Sequence, residues 1–242
     1  MNIIRLDQID STNSFIKTLS NAESGTVVVC CNQTAGRGQR GNSWEAEPGK
    51  NLTFSILLRP QNIKATMQFA ISRAVALAIV DCLEHWMHRP GELSVKWPND
   101  IYYGNLKLAG ILIENVLSAD NIERSIAGVG INVNQIKFLS DAPNPVSMAQ
   151  ITNMSYDLDT LLEDVCSTIL SSFNAEDASV GVASEKEYAE RLWRNDGYYT
   201  YESEGEQFEA KIVNVAHNGM LTLERRDGVR CEYAFKEVAF VL

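Results

Sequence analysis

Long apolar runs are missing from this sequence. The longest, AVALAIV at 74–80, is bounded by Arg73 and Asp81 and falls far short of the roughly 20 residues a membrane span needs. The start, MNIIRLDQIDSTN, lacks the basic head, apolar middle and cleavage site of a signal peptide. Positive charge is also scarce: 21 Lys and Arg face 31 Asp and Glu, for a net charge of −10. With no basic cluster to interrupt that excess, nucleic acid is excluded as a main partner. The five cysteines (Cys30, Cys31, Cys82, Cys166, Cys231) are odd in number and show no CxxC spacing, which excludes a disulfide framework and a zinc site. They read as reduced, mostly buried thiols. A cytoplasmic enzyme or binding protein without a membrane partner is the expectation. Cys82, His85 and His88 are three apart, a spacing that spreads them around a helix, and no second ligand cluster accompanies them.

What is present is enough apolar residue, 45% of 242, for one substantial core and a small second domain. DSTN ahead of Phe15, Ile16 and Leu19 predicts a short helix starting at Ser11 or Thr12. GTVVVCC reads as a buried strand. NLTFSILLR alternates Leu52, Phe54, Ile56 and Leu58 with Thr53 and Ser55, as a half-buried strand does. Residues 64–88 hold no Gly or Pro and predict one long helix packed on a sheet. Strands follow in LSVKWP, LKLAGILIENVL and RSIAGVGINVN, then helices over 157–173 and 184–194. Beyond Asn195, short runs separated by Gly205, Asn218-Gly219 and Asp227-Gly228 predict hairpins and a small β-barrel. The order implies an α+β domain over 1–194 and a barrel over 195–242.

Three segments carry chemistry. TAGRGQRGNSW places Gly36, Gly38 and Gly41 where backbone amides can turn toward an anion, with Arg37 and Arg40 supplying charge, so phosphate or carboxylate is the natural ligand. By itself GxGxxG occurs in many surface loops, and no Gly-Lys-Ser/Thr follows to make a P-loop. In KWPNDIYYGNLKLAGILIE, Gly110 lies three residues after Lys107 and admits a ligand close to the backbone, although Lys96 and Lys107 taken singly read as solvated strand lysines. In GVGINVN, Gly128 and Gly130 weaken a central strand unless something approaches it closely. His217 beside Asn218-Gly219 reads as a turn residue, and Glu202, Glu204 and Glu206 as a solvated barrel edge.

DSTN, QTAGRGQRGNSW, KWPNDIYY, KLAGILIE and GVGIN, in this order and spacing, resemble the biotin protein ligases, and the resemblance covers nearly the whole chain. It implies a mixed sheet with helices packed on it, of the class II aminoacyl-tRNA synthetase-like kind, followed by an SH3-like β-barrel. It implies ATP and biotin as substrates with Mg2+. Biotin is activated to biotinyl-5′-AMP and passed to a lysine of the biotin carrier domain of a biotin-dependent carboxylase. The biotin site carried over comprises Ser11, Thr12, Asn13, Gln33, Gly36, Arg37, Gly38, Gln39, Lys107, Gly110 and Gly130. ATP and the adenylate fall to Arg37, Arg40, Trp44, Lys96, Asn99 and Asn132, with Trp44 stacking on adenine and Asn132 reading an adenine edge. Arg37, Lys107, Lys96 and Asp100 are the implied catalytic set, and Asp100 a Mg2+ ligand or an orienter of the incoming lysine.

Family members usually carry Arg where this chain has Gln39, and often where it has Asn42, so the loop holds fewer cations than the commonest pattern. Met1 falls a few residues before IDSTN, and with the acidic charge this predicts a short form without the DNA-binding domain of some relatives. The loop then reads as a lid over the adenylate. A lipoate or octanoyl transferase of the same fold, and a non-catalytic biotin sensor, are the rival readings. The oligomeric state stays open between monomer and homodimer.

Overall fold

The computed structural model describes residues 1–39, 42–139, 144–174 and 182–241. Seven strands form a mixed sheet in the order β1-β2-β3-β7-β6-β5-β4. These are β1 (Asn2–Ile9), β2 (Thr26–Gln33), β3 (Leu52–Leu58), β4 (Leu93–Lys96), β5 (Asp100–Tyr103), β6 (Leu106–Ser118) and β7 (Asn121–Ile131). β1 and β2 run parallel, joined through α1 (Thr12–Thr18), and the other neighbours are antiparallel. Ser11 caps α1, its backbone extended and its hydroxyl accepting the Ser14 N–H, as the sequence predicts.

Alternation along the strands divides the sheet. Leu52, Phe54, Ile56 and Leu58 of β3 belong with α2 (Phe69–Met87) and α4 (Leu158–Asn174) in the main apolar core. The opposite face carries Val28, Leu57 and Ile126, which pack against Ile16 of α1. β3 is therefore buried along its whole length, not half-buried as expected, because α1 packs over Ser55 and Leu57 on its second face. On α4, the helical stripe Leu161, Leu162, Val165 and Ile169 is fully buried, as its spacing predicts.

Other boundaries move for local reasons. The long helix expected over 64–88 opens as a single 3₁₀ turn, Ala65–Met67, because Ala65 N–H donates to the Asp120 carbonyl in the β6–β7 turn. Residues 65–87 are long and apolar enough to cross a membrane, a property the seven-residue run hides, yet 72% of an apolar 18-residue stretch within them is buried inside the protein. α5 (Val182–Glu190) ends before 194. Residues 191–193 instead run beside β4, with Val95 N–H donating to Arg191 O and Trp193 N–H to Val95 O. β1, β5 and the short α3 (Met148–Thr152, with a Ser147–Gln150 capping box) were not expected.

The last part of the chain forms a second sheet of five antiparallel strands, ordered β11-β10-β9-β8-β12. They are β8 (Tyr199–Ser203), β9 (Glu206–Val215), β10 (Leu221–Arg225), β11 (Arg230–Tyr233) and β12 (Ala239–Phe240), as the expected SH3-like barrel requires. Its 216–219 turn docks on the first sheet: Trp97 Nε1–H donates to Gly219 O at 3.0 Å, and Trp97 meets Phe235 edge-on. His217 does more than turn the chain, since its Nδ1 lies 2.7 Å from Glu185, which also holds the buried Arg73 at 2.8 Å.

Gly219 sits at φ +89°, where a Cβ would also lie 2.8 Å from the Phe69 ring. Gly219→Ala should therefore destabilise the protein by about 2 kcal/mol in denaturant unfolding, strain and overlap adding together. A loss below roughly 0.5 kcal/mol, the usual surface value, would show that the turn does not pack as described.

Candidate active site

Strand register builds the floor of a cleft of about 520 Å³, within the size range of small-molecule sites. One cross-strand row runs Thr53, Gly130, Gly110, Asp100, Lys96 over β3, β7, β6, β5 and β4. The next row on the same face is Ser55, Gly128, Leu112. Glycine in these rows is a matter of space. A Cβ at 128 would overlap the Asn13 amide, a Cβ at 110 would lie 2.9 Å from Cζ3 of Trp44, and one at 130 would enter the Trp44 ring. The room left by Gly110 and Gly130 is thus next to the indole of Trp44, which lies across the floor.

One end of the cleft is neutral and closely hydrogen-bonded. Gln33 Oε1 accepts from Thr12 N–H at 2.9 Å and lies 3.2 Å from Thr12 Oγ1. Ser55 Oγ lies 2.8 Å from Thr12 Oγ1 and 2.5 Å from Asn13 Oδ1, and Asn13 Nδ2 donates to Glu114 at 2.8 Å. With its oxygen so engaged, Gln33 has its Nε2 donors on the other side of the amide, where the missing Cβ of Gly36 makes space for them. Ser11, Thr12 and Asn13 are all buried.

The cations gather at the other end and at the rim. Lys107 Nζ pairs with Asp100 at 2.8 Å and lies 5.6 Å from the centre of a Trp44 ring. Arg37 leans on α1, donating to Ser14 Oγ at 2.8 Å, with Glu114 at 3.9 Å. The glycine-rich segment that carries it is tied across its two described arms: Arg37 bridges Ser43, Gly38 N–H donates to Asn42 O, and Trp44 N–H to Gly36 O. Glu114 gathers these contacts with the Lys17 pair at 2.7 Å. Burial raises its carboxyl, but hydrogen bonds from Lys17 and Asn13 and the charges of Lys17 and Arg37 outweigh that and hold it below the ordinary value. Burial draws Lys96 below the ordinary lysine value, with Asp100 opposing and Lys107 and Arg194 adding to the shift.

Most expected site residues meet here: Ser11, Thr12, Asn13, Gln33, Arg37, Gly38, Gln39, Trp44, Lys96, Asn99, Asp100, Lys107, Gly110 and Gly130 line the cleft. Asn99 is also clamped to β6, donating from Nδ2 to Ile111 O at 2.7 Å. Two expected residues do not reach the lining. Asn132 is buried beneath it, Nδ2 donating to Val146 O at 3.1 Å and approaching Lys107 O at 3.4 Å, so it holds β6 in place. Gly36 sits behind Gln33, where its carbonyl accepts from Trp44 N–H. Arg40 lies outside the described residues.

The missed residues left uneven signals. Ser55 and Glu114 share strand faces with Gly128 and Gly110, so their two-residue spacing could have found them. Phe235 and Lys236, between β11 and β12, and Phe240 on β12 line the cleft from the last part of the chain, and no sequence pattern links them to it. For metals, no three His, Cys, Asp or Glu side chains converge among the described residues, and Asp100 is the one carboxylate among those lining the cleft.

The profile of the biotin/lipoate A/B protein ligase family matches residues 6–132. A bifunctional ligase/repressor BirA of Bacillus spizizenii is 38% identical over 136 residues, 55% of this chain and 41% of that protein. A biotin–[acetyl-CoA-carboxylase] ligase of Paracoccus denitrificans is 36% identical over 129 residues, 53% of each chain. The matches thus span about half the length of these relatives, or less. In structure, the chain is similar to a biotin protein ligase from Aquifex aeolicus in complex with biotin and ATP, with TM-score 0.80 and 26% identity over 98% of this chain and 97% of that one.

Because Glu114 titrates below the ordinary carboxylate value, the stability it confers is complete above about pH 4.3 and is lost as pH falls through its folded value. Glu114→Gln should accordingly melt below the wild type at neutral pH, with the gap closing in acid. A gap of constant size from roughly pH 7 to pH 3 would show that the carboxylate's charge contributes nothing.

Proposed function

This chain belongs to the biotin/lipoate A/B protein ligase family, and from that membership and the cleft we propose that it is a biotin protein ligase. In this reading it activates biotin with ATP, then transfers biotin to a lysine of a biotin carrier domain of a carboxylase. Residues 1–194 carry the chemistry and 195–242 form the accessory barrel.

The observation that carries the reading is the polarity of one continuous cleft: neutral hydrogen-bonding groups around Thr12 and Gln33, Lys107 and Lys96 beyond the glycine floor, and Arg37 at the rim against α1. A ligand suited to it has an uncharged polar head and an anionic tail. Biotin is such a molecule, with a ureido ring and a carboxylate. Gln33, its oxygen already engaged by Thr12, presents N–H donors to the ureido carbonyl, with Ser11 beside it. Asn13, engaged by Ser55 and Glu114, shapes this end and contributes no free group of its own.

Activation brings two anions together. A carboxylate oxygen attacks the α-phosphorus of ATP and pyrophosphate leaves, giving a mixed anhydride. The carrier lysine then attacks the acyl carbon, releasing AMP and leaving an amide. Holding carboxylate and triphosphate in line can supply about 7–11 kcal/mol of the barrier. Lys107, fixed by Asp100, is the cation nearest the floor for the carboxylate and the α-phosphate, while Lys96 faces the phosphate chain. Arg37 leaves Ser14 and Glu114 for the ligand as the lid settles. Trp44, lying across the glycine floor, offers a ring for adenine to stack on.

A lone carboxylate fits a magnesium ion that arrives on the nucleotide, since Mg2+ takes one or two protein carboxylates and phosphate oxygens for the rest. Asp100 would supply the protein oxygen, and the ion would neutralise triphosphate charge.

Incubating the purified protein with biotin, MgATP and a carrier domain should give a biotinyl adduct by mass. Arg37→Ala or Lys107→Ala should each cut biotin-dependent pyrophosphate exchange by about 10²- to 10³-fold. Exchange that runs with lipoate and not with biotin, or turnover unchanged in both variants, would reject the proposal.

A further inference from the structure

Lys96 is held differently from the other cations of the cleft. Its ammonium donates to Tyr102 Oη at 3.0 Å and lies 4.8 Å from the Tyr102 ring, 5.4 Å from a Trp193 ring and 5.6 Å from the Phe240 ring. The rings support one another: Tyr102 and Trp193 have centroids 5.2 Å apart, Trp193 and Phe240 5.5 Å, and Phe240 and Tyr201 5.0 Å. Asp100, paired with Lys96 across the β4–β5 hairpin, reaches Lys107 instead, and Lys96 forms no ion pair among the described residues.

We infer that Tyr102, Trp193 and Phe240 form an aromatic box that positions Lys96 for the nucleotide's phosphate chain, so that the terminal barrel completes the ATP site through Phe240. The inference rests on the ligase reading for its choice of nucleotide. A carboxylate partner would fix the ammonium but cancel its charge and repel a triphosphate. Ring faces attract a cation through their quadrupoles and leave its full charge for an incoming anion. With one N–H on Tyr102, two of the three donors of Lys96 remain for phosphate oxygens.

The box draws on three parts of the chain, each fixed by backbone contacts. Tyr102 lies on β5. Trp193 is set beside β4 by its own N–H, which donates to Val95 O. Phe240 pairs with Tyr201 on β8, and the next residue, Val241, donates to Thr200 O and accepts from Arg194 Nη1 at 2.8 Å. Arg194 also stacks on the Trp193 ring at 4.1 Å, tying the barrel's last strand to the box wall. Phe240, Trp193 and Tyr102 are positioning residues, since they act through Lys96.

Replacing Phe240 with mono-, di- and trifluorophenylalanine keeps its shape while draining charge from the ring face. ATP affinity read by calorimetry should fall stepwise, by about fivefold across the series, while biotin affinity stays constant. Phe240→Trp should keep wild-type ATP affinity and Phe240→Leu should lose it. In a Lys96→Met background the fluorination series should be flat. A flat series in the wild-type background, a slope that survives Lys96→Met, or a parallel loss of biotin affinity would each overturn the box. Since ATP binding is read directly, a wild-type protein that binds ATP in this graded way yet activates an acid other than biotin would sink the ligase reading and leave the box standing.

Discussion

Strand register is the constraint on which the rest of the site depends. Thr53, Gly130, Gly110, Asp100 and Lys96 lie in one row because four consecutive strand pairings bring them opposite one another. A one-residue slip at any pairing would send the row beyond it to the helix-covered face, putting aliphatic side chains under Trp44 and burying Asp100 and Lys96 among Val95 and Ile101. The apolar faces of β3, β6 and β7 prevent such a slip, since Phe54, Ile111 and Val129 are fixed in the opposite layer by α2 and α4. Core packing on one face is therefore what aligns chemistry on the other.

Within that frame each cation has a different kind of partner, and the difference sets how readily it can turn to an anion. Lys107 is held by Asp100, close and partly shielded, so its position is defined and part of its charge is cancelled. Arg37 is held by Ser14 and, at longer range, by an acid that also serves Lys17. Half-exposed contacts of that kind are weak, and a bidentate anion in the cleft competes well with them. Lys96 is held by π faces and a phenol. The three modes amount to a fixed cation, a releasable one and one kept at full charge.

Legibility in the sequence followed the range of the interactions. The start of α1 was readable because a cap acts within three residues, and the α4 stripe because one period covers the whole helix. Glycine-rich segments announced a close approach but not the tenant: Gly128 makes room for Asn13, and Gly110 and Gly130 for Trp44. β3 looked half-buried because Thr53 and Ser55 are polar, and nothing local says that α1 folds back over Ser55. β1 went unread because its burial alternates poorly and its place comes from a parallel ladder with β2. Asn132 shows the converse: a motif position beside the cleft spends its amide on backbone carbonyls.

The second sheet is where long-range packing shapes the cleft most directly. Trp97 and Lys96 are adjacent, and the barrel touches both: Gly219 accepts from the Trp97 indole, and Phe240 faces the Lys96 ammonium. Since Trp97 is buried and its N–H is satisfied only by that turn carbonyl, displacing the barrel would strand a buried donor as well as open the cleft. Losing that hydrogen bond therefore opposes displacement of the barrel, which helps to keep Phe235, Val238 and Phe240 in the cleft wall. A β4–β5 hairpin without the barrel would leave Lys96 two rings, Tyr102 and Trp193, and an open side to water. Desolvation and ring contact together, and not the hairpin alone, are what distinguish this lysine from an ordinary strand lysine.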